Sequence, residues 1–303
     1  MASSNSILPD DLVTADWLDR NLNLPTLQAI DIRGYVHTEN LGGGRQTATY
    51  TGALEEYLAG HIPGAAFIDW TSDIVDSDAE AKAQIANPEQ FAVALGEAGV
   101  DGETDVVVVD HTGGHFATRL WWALRLYGHD RVAILDGGFK RWQALGLRTE
   151  SGRHTPVAET FVARPRPRLL SNADDIATLI KSGARQIVDA RDAGAYSGAV
   201  QRGSRGGHIP TALNMPIATL FDDDGLWKDA EKLRVAALAA GVDVAEPVTA
   251  YCNGGVTATA VLFGLHRAGL DDLSNYDGSW NEWGERFELP VEDNRDLWRE
   301  DEP

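Results

Sequence analysis

Hydrophobic positions along the chain fall into two rhythms. Short, nearly continuous apolar runs read as buried strands: LQAIDIR (27–33), DVVVVD (105–110), QIVDAR (186–191) and PVTAY (247–251). Longer stretches return an apolar residue every three or four positions, as helices do. These are NPEQFAVALGEAGV (87–100), DAEKLRVAALAAGV (229–242) and the segment from Val256, in which Val261, Leu262 and Leu265 recur. Asn87 is suited to cap the first of these, with Pro88 at the first helical position and Gly99 past the end. Strands alternating with helices predict α/β units on a mostly parallel sheet.

The pattern occurs twice. Asp31 and Arg33 end one strand as Asp189 and Arg191 end another. GHIPGA (60–65) returns as GHIPTA (207–212), DVVVVD is matched by PVTAYC, and ILDGGFKRW (134–142) by NYDGSWNEW (275–283). A repeat this long means duplicated domains, since solenoid units are much shorter. The stretch from Gly146 to Leu170 holds Pro156, Pro165 and Pro167 and little periodicity, which is linker composition. The expected division is therefore 1–155 and 156–303, with the linker at the start of the second half. Within the first half, HTENLGGGRQTATYTGALEEYLA (37–59) reads as a glycine-rich loop followed by a short helix. The acidic tail from Pro290 to Pro303 is expected to fray or lie on the surface.

Charge narrows the partners. The formal net charge is −20, which argues against nucleic acid and anionic membrane surfaces. No run approaches about 18 apolar residues, so no membrane-spanning helix is expected. The first residues, MASSNSILPDDLV, have neither the basic nor the apolar region of a signal peptide. A single cysteine allows no internal disulfide and suits a reducing, cytoplasmic compartment. No His/Cys cluster has metal-ligand spacing and no phosphate loop appears, so no metal or cofactor is expected.

That one cysteine, Cys252, falls at a strand end, before Asn253, Gly254 and Gly255 and the helix from Val256. Free backbone N–H groups at a glycine turn and a helix start face whatever anion sits there. A thiolate is such an anion, so the position favours a nucleophilic thiol over an inert buried one. The first half has Asp110 at the corresponding place, in DHTGGHFAT. A carboxylate is no substitute for a thiolate nucleophile, so this half is expected to wall the site without doing chemistry.

These motifs together resemble the tandem rhodanese-domain sulfurtransferases over nearly the whole chain. GHIPGA and GHIPTA, WWALRLYGH with DGGFKRW, the DAR triplet, and CNGGVTA followed by DGSWNEW carry the resemblance. It implies an α/β fold of two rhodanese-like domains, each a small, mostly parallel sheet flanked by helices, with the active cleft between them. It also implies the reaction. Cys252 takes the outer sulfur of thiosulfate or 3-mercaptopyruvate as a persulfide, which a thiol or cyanide acceptor then removes. Amides of the loop Asn253, Gly254, Gly255, Val256 and Thr257 would stabilise the persulfide anion.

The resemblance singles out further residues. Arg191 is at a place where the family binds its anionic donor, although it can equally form a structural ion pair with Asp189 or Asp192. Apart from the resemblance, Arg202 and Arg205 in the glycine-rich stretch QRGSRGGHIP are second, weaker candidates for an anion contact. His61 matches a histidine proposed to serve a Ser–His–Asp relay in mercaptopyruvate-using relatives, but the serine place is Gly254. Its repeat copy His208 favours a structural hydrogen bond for both. Trp280 and Trp283 can line the pocket or fill the core. The neutral residues Asn253 and Gly254 after the cysteine lean the donor slightly towards mercaptopyruvate, which one arginine fork could hold. A phosphatase loop would need an arginine, and residues 253–259 contain none. A sulfur-relay module with a protein acceptor would look the same in sequence.

Overall fold

A computed structural model describes residues 6–295. Two five-stranded sheets, one in each half, share one plan. In the first, the strands run in the order Leu12–Val13, Val132–Leu135, Asp105–Val109, Leu27–Asp31 and Ala66–Phe67, with every pair parallel. In the second, the order is Leu170–Ser171, Leu273–Tyr276, Val248–Tyr251, Gln186–Asp189 and Leu213–Asn214, again parallel throughout. The central strands Asp105–Val109 and Val248–Tyr251 are wholly buried, as strands covered by helices on both faces must be.

Local chemistry starts the helices where the pattern predicts. Asn87 Oδ1 accepts from Gln90 N at 2.9 Å to open Pro88–Glu97, and Asp229 does the same for Lys232 N to open Ala230–Ala239. The helices after the central strands, Ala117–Leu126 and Val256–Arg267, are apolar nearly all round and buried along most of their length. Such helices need cover on every side. They find it in each other. Trp121 meets Phe263 edge-on at 4.9 Å, and Thr259 Oγ1 donates to Thr118 Oγ1 at 3.1 Å. This contact joins the halves and sets the N-terminal loops of the two helices side by side.

The insertion in the first half departs from expectation. It is a β-hairpin, Gly34–Gly42 antiparallel to Arg45–Gly52, followed by the helix Leu54–Ala59. The glycines are the turn and not a loop: Gly42, Gly43 and Gly44 all have positive φ. The alternating threonines 47, 49 and 51 supply the strand pattern. The short strand Gln201–Arg202 of the second half adds to the hairpin in parallel, so this small third sheet bridges the halves.

Residues of the linker pack on the first half. Glu159 N donates to Gly96 O, Arg164 N to Tyr127 O, and Phe161 is buried against Phe91. The described start of the acidic tail is tied down: His208 and Glu292 exchange backbone bonds, and Asn294 N donates to Ser197 O. The rest of the tail lies outside the described residues. No helix among them is long and apolar enough to cross a membrane.

Candidate active site

Cys252 follows the strand Val248–Tyr251 and is 2% exposed. The first turn of the helix Ser279–Trp283 holds its backbone. Cys252 N donates to Ser279 Oγ at 3.1 Å, Cys252 O accepts from Trp280 N at 3.0 Å, and Asn253 O from Asn281 N at 2.8 Å. Gly255 precedes the helix Val256–Arg267 with φ +73. A Cβ there would lie 2.5 Å from Asp277 Oδ1, so only glycine fits.

The first half shows what this kind of loop does to an anion. Asp110, the counterpart of Cys252, accepts five backbone N–H bonds. Oδ1 takes those of Thr112, Gly113 and Gly114 at 2.8–2.9 Å, and Oδ2 those of Phe116 and Ala117 at 2.7 and 2.9 Å. The strand–glycine turn–helix unit is thus an anion nest in the copy that has a fixed anion.

Cys252 opens onto a cavity of about 300 Å³ between the halves. Tyr50, Trp70 and His115 line it from the first half, and Arg191, Arg202 and Thr257 from the second. A larger groove of about 880 Å³, near Arg168, Asp175 and Glu282, is not lined by Cys252. Burial raises the pKa of the Tyr50 phenol and lowers that of His115, so both are neutral near pH 7.

The arginines sort clearly. Arg191 is committed to Asp189. Its Nε donates to both carboxylate oxygens, and Nη2 to Oδ2 at 2.6 Å and to Gly207 O at 2.7 Å. Burial opposes its charge, but the adjoining Asp189 carboxylate outweighs that and raises its pKa. The first half repeats the arrangement in Arg33, Asp31 and Gly60 O, where there is no nucleophile. Arg191 therefore braces the strand end, and the ion pair is its main employment although it borders the cavity. Arg205 is corrected outright: it donates to four backbone carbonyls, of Trp283, Gly284, Arg286 and Leu289, and does not line the cavity. Arg202 differs from both. It borders the cavity, its Nη2 makes only long contacts to Thr38 Oγ1 (3.2 Å) and Gln46 Oε1 (3.4 Å), and its buried Nε has no protein partner.

His61 also needs correction. Its ring stacks on Tyr57 with centroids 4.0 Å apart, its Nδ1 lies 2.9 Å from Tyr57 O, and it does not line the cavity. His208 stacks on Tyr196 in the same way, at 3.8 Å. These are matching structural props. Trp280 and Trp283 are core, buried to 1% and 0% exposure. Sequence reasoning missed His115 and Tyr50. His115 belongs to the loop without a nucleophile, yet its Nε2 lies 2.9 Å from Thr257 Oγ1, which lines the same cavity as Cys252. Tyr50 sits in the segment read as loop. Among the described residues no three metal-ligating side chains converge.

The rhodanese-like domain family matches residues 14–145 and 172–286. The 3-mercaptopyruvate sulfurtransferase of Escherichia coli K12 is 35% identical over 283 residues, covering 92% of this chain and 97% of its own. The thiosulfate sulfurtransferase of Bos taurus is 32% identical over 292 residues, covering 93% and 94%. Among solved structures, that of SseA from Escherichia coli matches with a TM-score of 0.77 at 33% identity, over 89% of this chain and 98% of that one.

Proposed function

Because the chain belongs to the tandem rhodanese-domain family of thiosulfate and 3-mercaptopyruvate sulfurtransferases, we propose that it moves sulfane sulfur through a persulfide on Cys252, with 3-mercaptopyruvate as donor. The observation that carries this reading is the nest. The only cysteine occupies the place at which the other half binds a carboxylate with five backbone N–H groups. A nest that binds a carboxylate suits a thiolate and, after transfer, a persulfide anion. In the first half that place is Asp110, so the first half supplies walls and not a nucleophile.

The donor's carboxylate takes the Nε and Nη2 fork of Arg202, pairing the unpartnered Nε and replacing the long contacts of Nη2 to Thr38 and Gln46. Arg191 stays with Asp189, a neutral pair that braces the strand end beside the site. Cys252 then attacks the donor's sulfur, pyruvate leaves, and a thiol or cyanide acceptor removes the outer sulfur and restores the thiolate. One arginine fork beside the neutral Asn253 and Gly254 suits a donor with one carboxylate better than the compact thiosulfate dianion. A reducing, cytoplasmic setting suits a lone thiol that must stay free.

The test is turnover with both donors at equal ionic strength, with mass spectrometry of the protein after each. The expected results are one added sulfur on Cys252, no turnover by Cys252→Ser, and a higher kcat/KM for mercaptopyruvate. A tenfold preference for thiosulfate, about 1.4 kcal/mol in transition-state binding, refutes the donor and leaves Cys252 as nucleophile. Normal turnover by Cys252→Ser refutes the whole reading.

A further inference from the structure

Mercaptopyruvate poses a proton problem that thiosulfate does not. When Cys252 Sγ bonds to the donor's sulfur, the C3–S bond breaks and its electron pair goes to C3, as the enolate of pyruvate. The sulfur pair is oxidised by two electrons and C3 is reduced by two. The donor's thiol proton must leave sulfur, and C3 must gain a proton, so that Cys252–S⁻ and HS–CH₂–CO–COO⁻ become Cys252–S–S⁻ and CH₃–CO–COO⁻. Sulfite leaves thiosulfate as a stable anion and needs no such transfer.

Neither residue 254 nor His61 can move this proton. Residue 254 is glycine, and the His61 ring faces Tyr57 away from the cavity. One histidine does border the cavity, and it comes from the half without a nucleophile. His115 and Thr257 meet at 2.9 Å, and both line the space onto which Cys252 opens. The imidazole is held from several sides. Its ring stacks on Phe116 with centroids 4.8 Å apart, and the backbone that carries it is fixed, His115 N donating to Thr112 Oγ1 and His115 O accepting from Thr118 Oγ1. A neutral imidazole joined to a hydroxyl has what a proton shuttle needs: an acceptor, a donor and a fixed geometry.

We propose that His115, paired with the Thr257 hydroxyl, carries the proton from the donor's sulfur to C3 of the leaving enolate. The pair accepts the thiol proton as the S–S bond forms and returns a proton to C3 as the C–S bond breaks, so it ends each half-reaction in its starting state. This step rests on the mercaptopyruvate reading given above. It makes the nucleophile-free half a contributor to chemistry through the loop that sets His115 beside Thr257.

The experiment is His115→Gln, which can keep a hydrogen bond to Thr257 but cannot relay a proton, assayed with both donors. The expected result is a fall in kcat with mercaptopyruvate of about 100-fold or more, with KM and thiosulfate turnover each within about threefold of wild type. Thr257→Val should reproduce the loss and Thr257→Ser restore the activity, and this pair decides the matter if the Gln variant does not fold. Equal losses with both donors, or a loss below about tenfold with mercaptopyruvate, overturn the proposal. Wild-type protein that is inert towards mercaptopyruvate overturns the donor reading itself, and the shuttle with it.

Discussion

Replacing Arg119 with Met strands a buried carboxylate. Arg119 lies in the first half's helix Ala117–Leu126 and is 1% exposed. Its Nη1 donates to Asp277 Oδ1 and to Gly255 O (3.3 Å), and its Nη2 to Ala83 O at 2.7 Å. One side chain thus ties a first-half segment, bent through Ala83 at φ +69, to the glycine turn after Cys252. Without it Asp277 keeps Ile85 N at 2.6 Å and Asn275 Nδ2 at 3.1 Å, but no cation. Removing one partner of a buried pair costs about 3–5 kcal/mol. The two surviving donors put this case at about 3–4 kcal/mol. At roughly 2 °C per kcal/mol for a chain of this size, Tm should fall by about 6–8 °C. Turnover should fall too, because Gly255 O loses one of the two donors that orient it, the other being Asn275 Nδ2 at 3.2 Å. The double variant Arg119→Met with Asp277→Asn removes the stranded charge and should recover about half of the lost Tm. Thermal melts and urea midpoints of the wild type, both single variants and the double variant are the assay. A Met variant melting within 2 °C of wild type refutes the strut. So does a double variant no more stable than the Met single variant.

Three further predictions follow from the same geometry. Gly255→Ala puts a Cβ 2.5 Å from Asp277 Oδ1 at φ +73; the backbone strain alone costs about 1–2 kcal/mol, and sulfur transfer should fall at least tenfold in steady-state assays. Arg202→Gln removes the guanidinium whose Nε has no protein partner, and a lost charge-assisted bond of about 1.5–3 kcal/mol should raise the KM of the anionic donor at least tenfold, whereas Arg205→Gln should change stability and not KM. Burial lowers the pKa of His111, His115 and His129, so between those lowered values and about 6.5 the unfolded chain binds more protons than the folded one. Stability should therefore fall as pH drops from 7.5 to 5.5; urea midpoints should decrease over that range, His129→Gln should flatten the slope, and a midpoint that rises instead contradicts the assignment.

Residues near one another in the chain made much of this protein legible. Strand and helix rhythms are set by neighbouring side chains and by backbone sterics, so the two parallel sheets and the caps at Asn87 and Asp229 follow from local pattern. The same holds for the position of Cys252, because strand, glycine turn and helix start are contiguous. Repetition set Asp110 opposite Cys252 and so marked the first half as lacking the nucleophile, while the five N–H bonds that make its loop an anion nest appear only in the structure. The hairpin at 34–52 was readable in its alternating threonines, but the three glycines in its turn give the appearance of a loop.

Which charges are spent and which are free was decided only by the tertiary structure. Arg191, Arg202 and Arg205 lie within one short polar stretch and look alike. Their difference comes from acceptors: the neighbouring Asp189, already a candidate in sequence, for the first, the carbonyls of residues 283–289, which folding brings from far along the chain, for the third, and only long contacts for the second. His115 and Thr257 stand 142 positions apart in the chain. They meet because the helices Ala117–Leu126 and Val256–Arg267 bury their apolar faces on each other and carry their N-terminal loops with them. That burial is favourable in proportion to area and indifferent to sequence distance, whereas a hydrogen bond or ion pair requires its two partners within about 3 Å. Sequence periodicity records the first kind of force, and only the packed structure resolves the second.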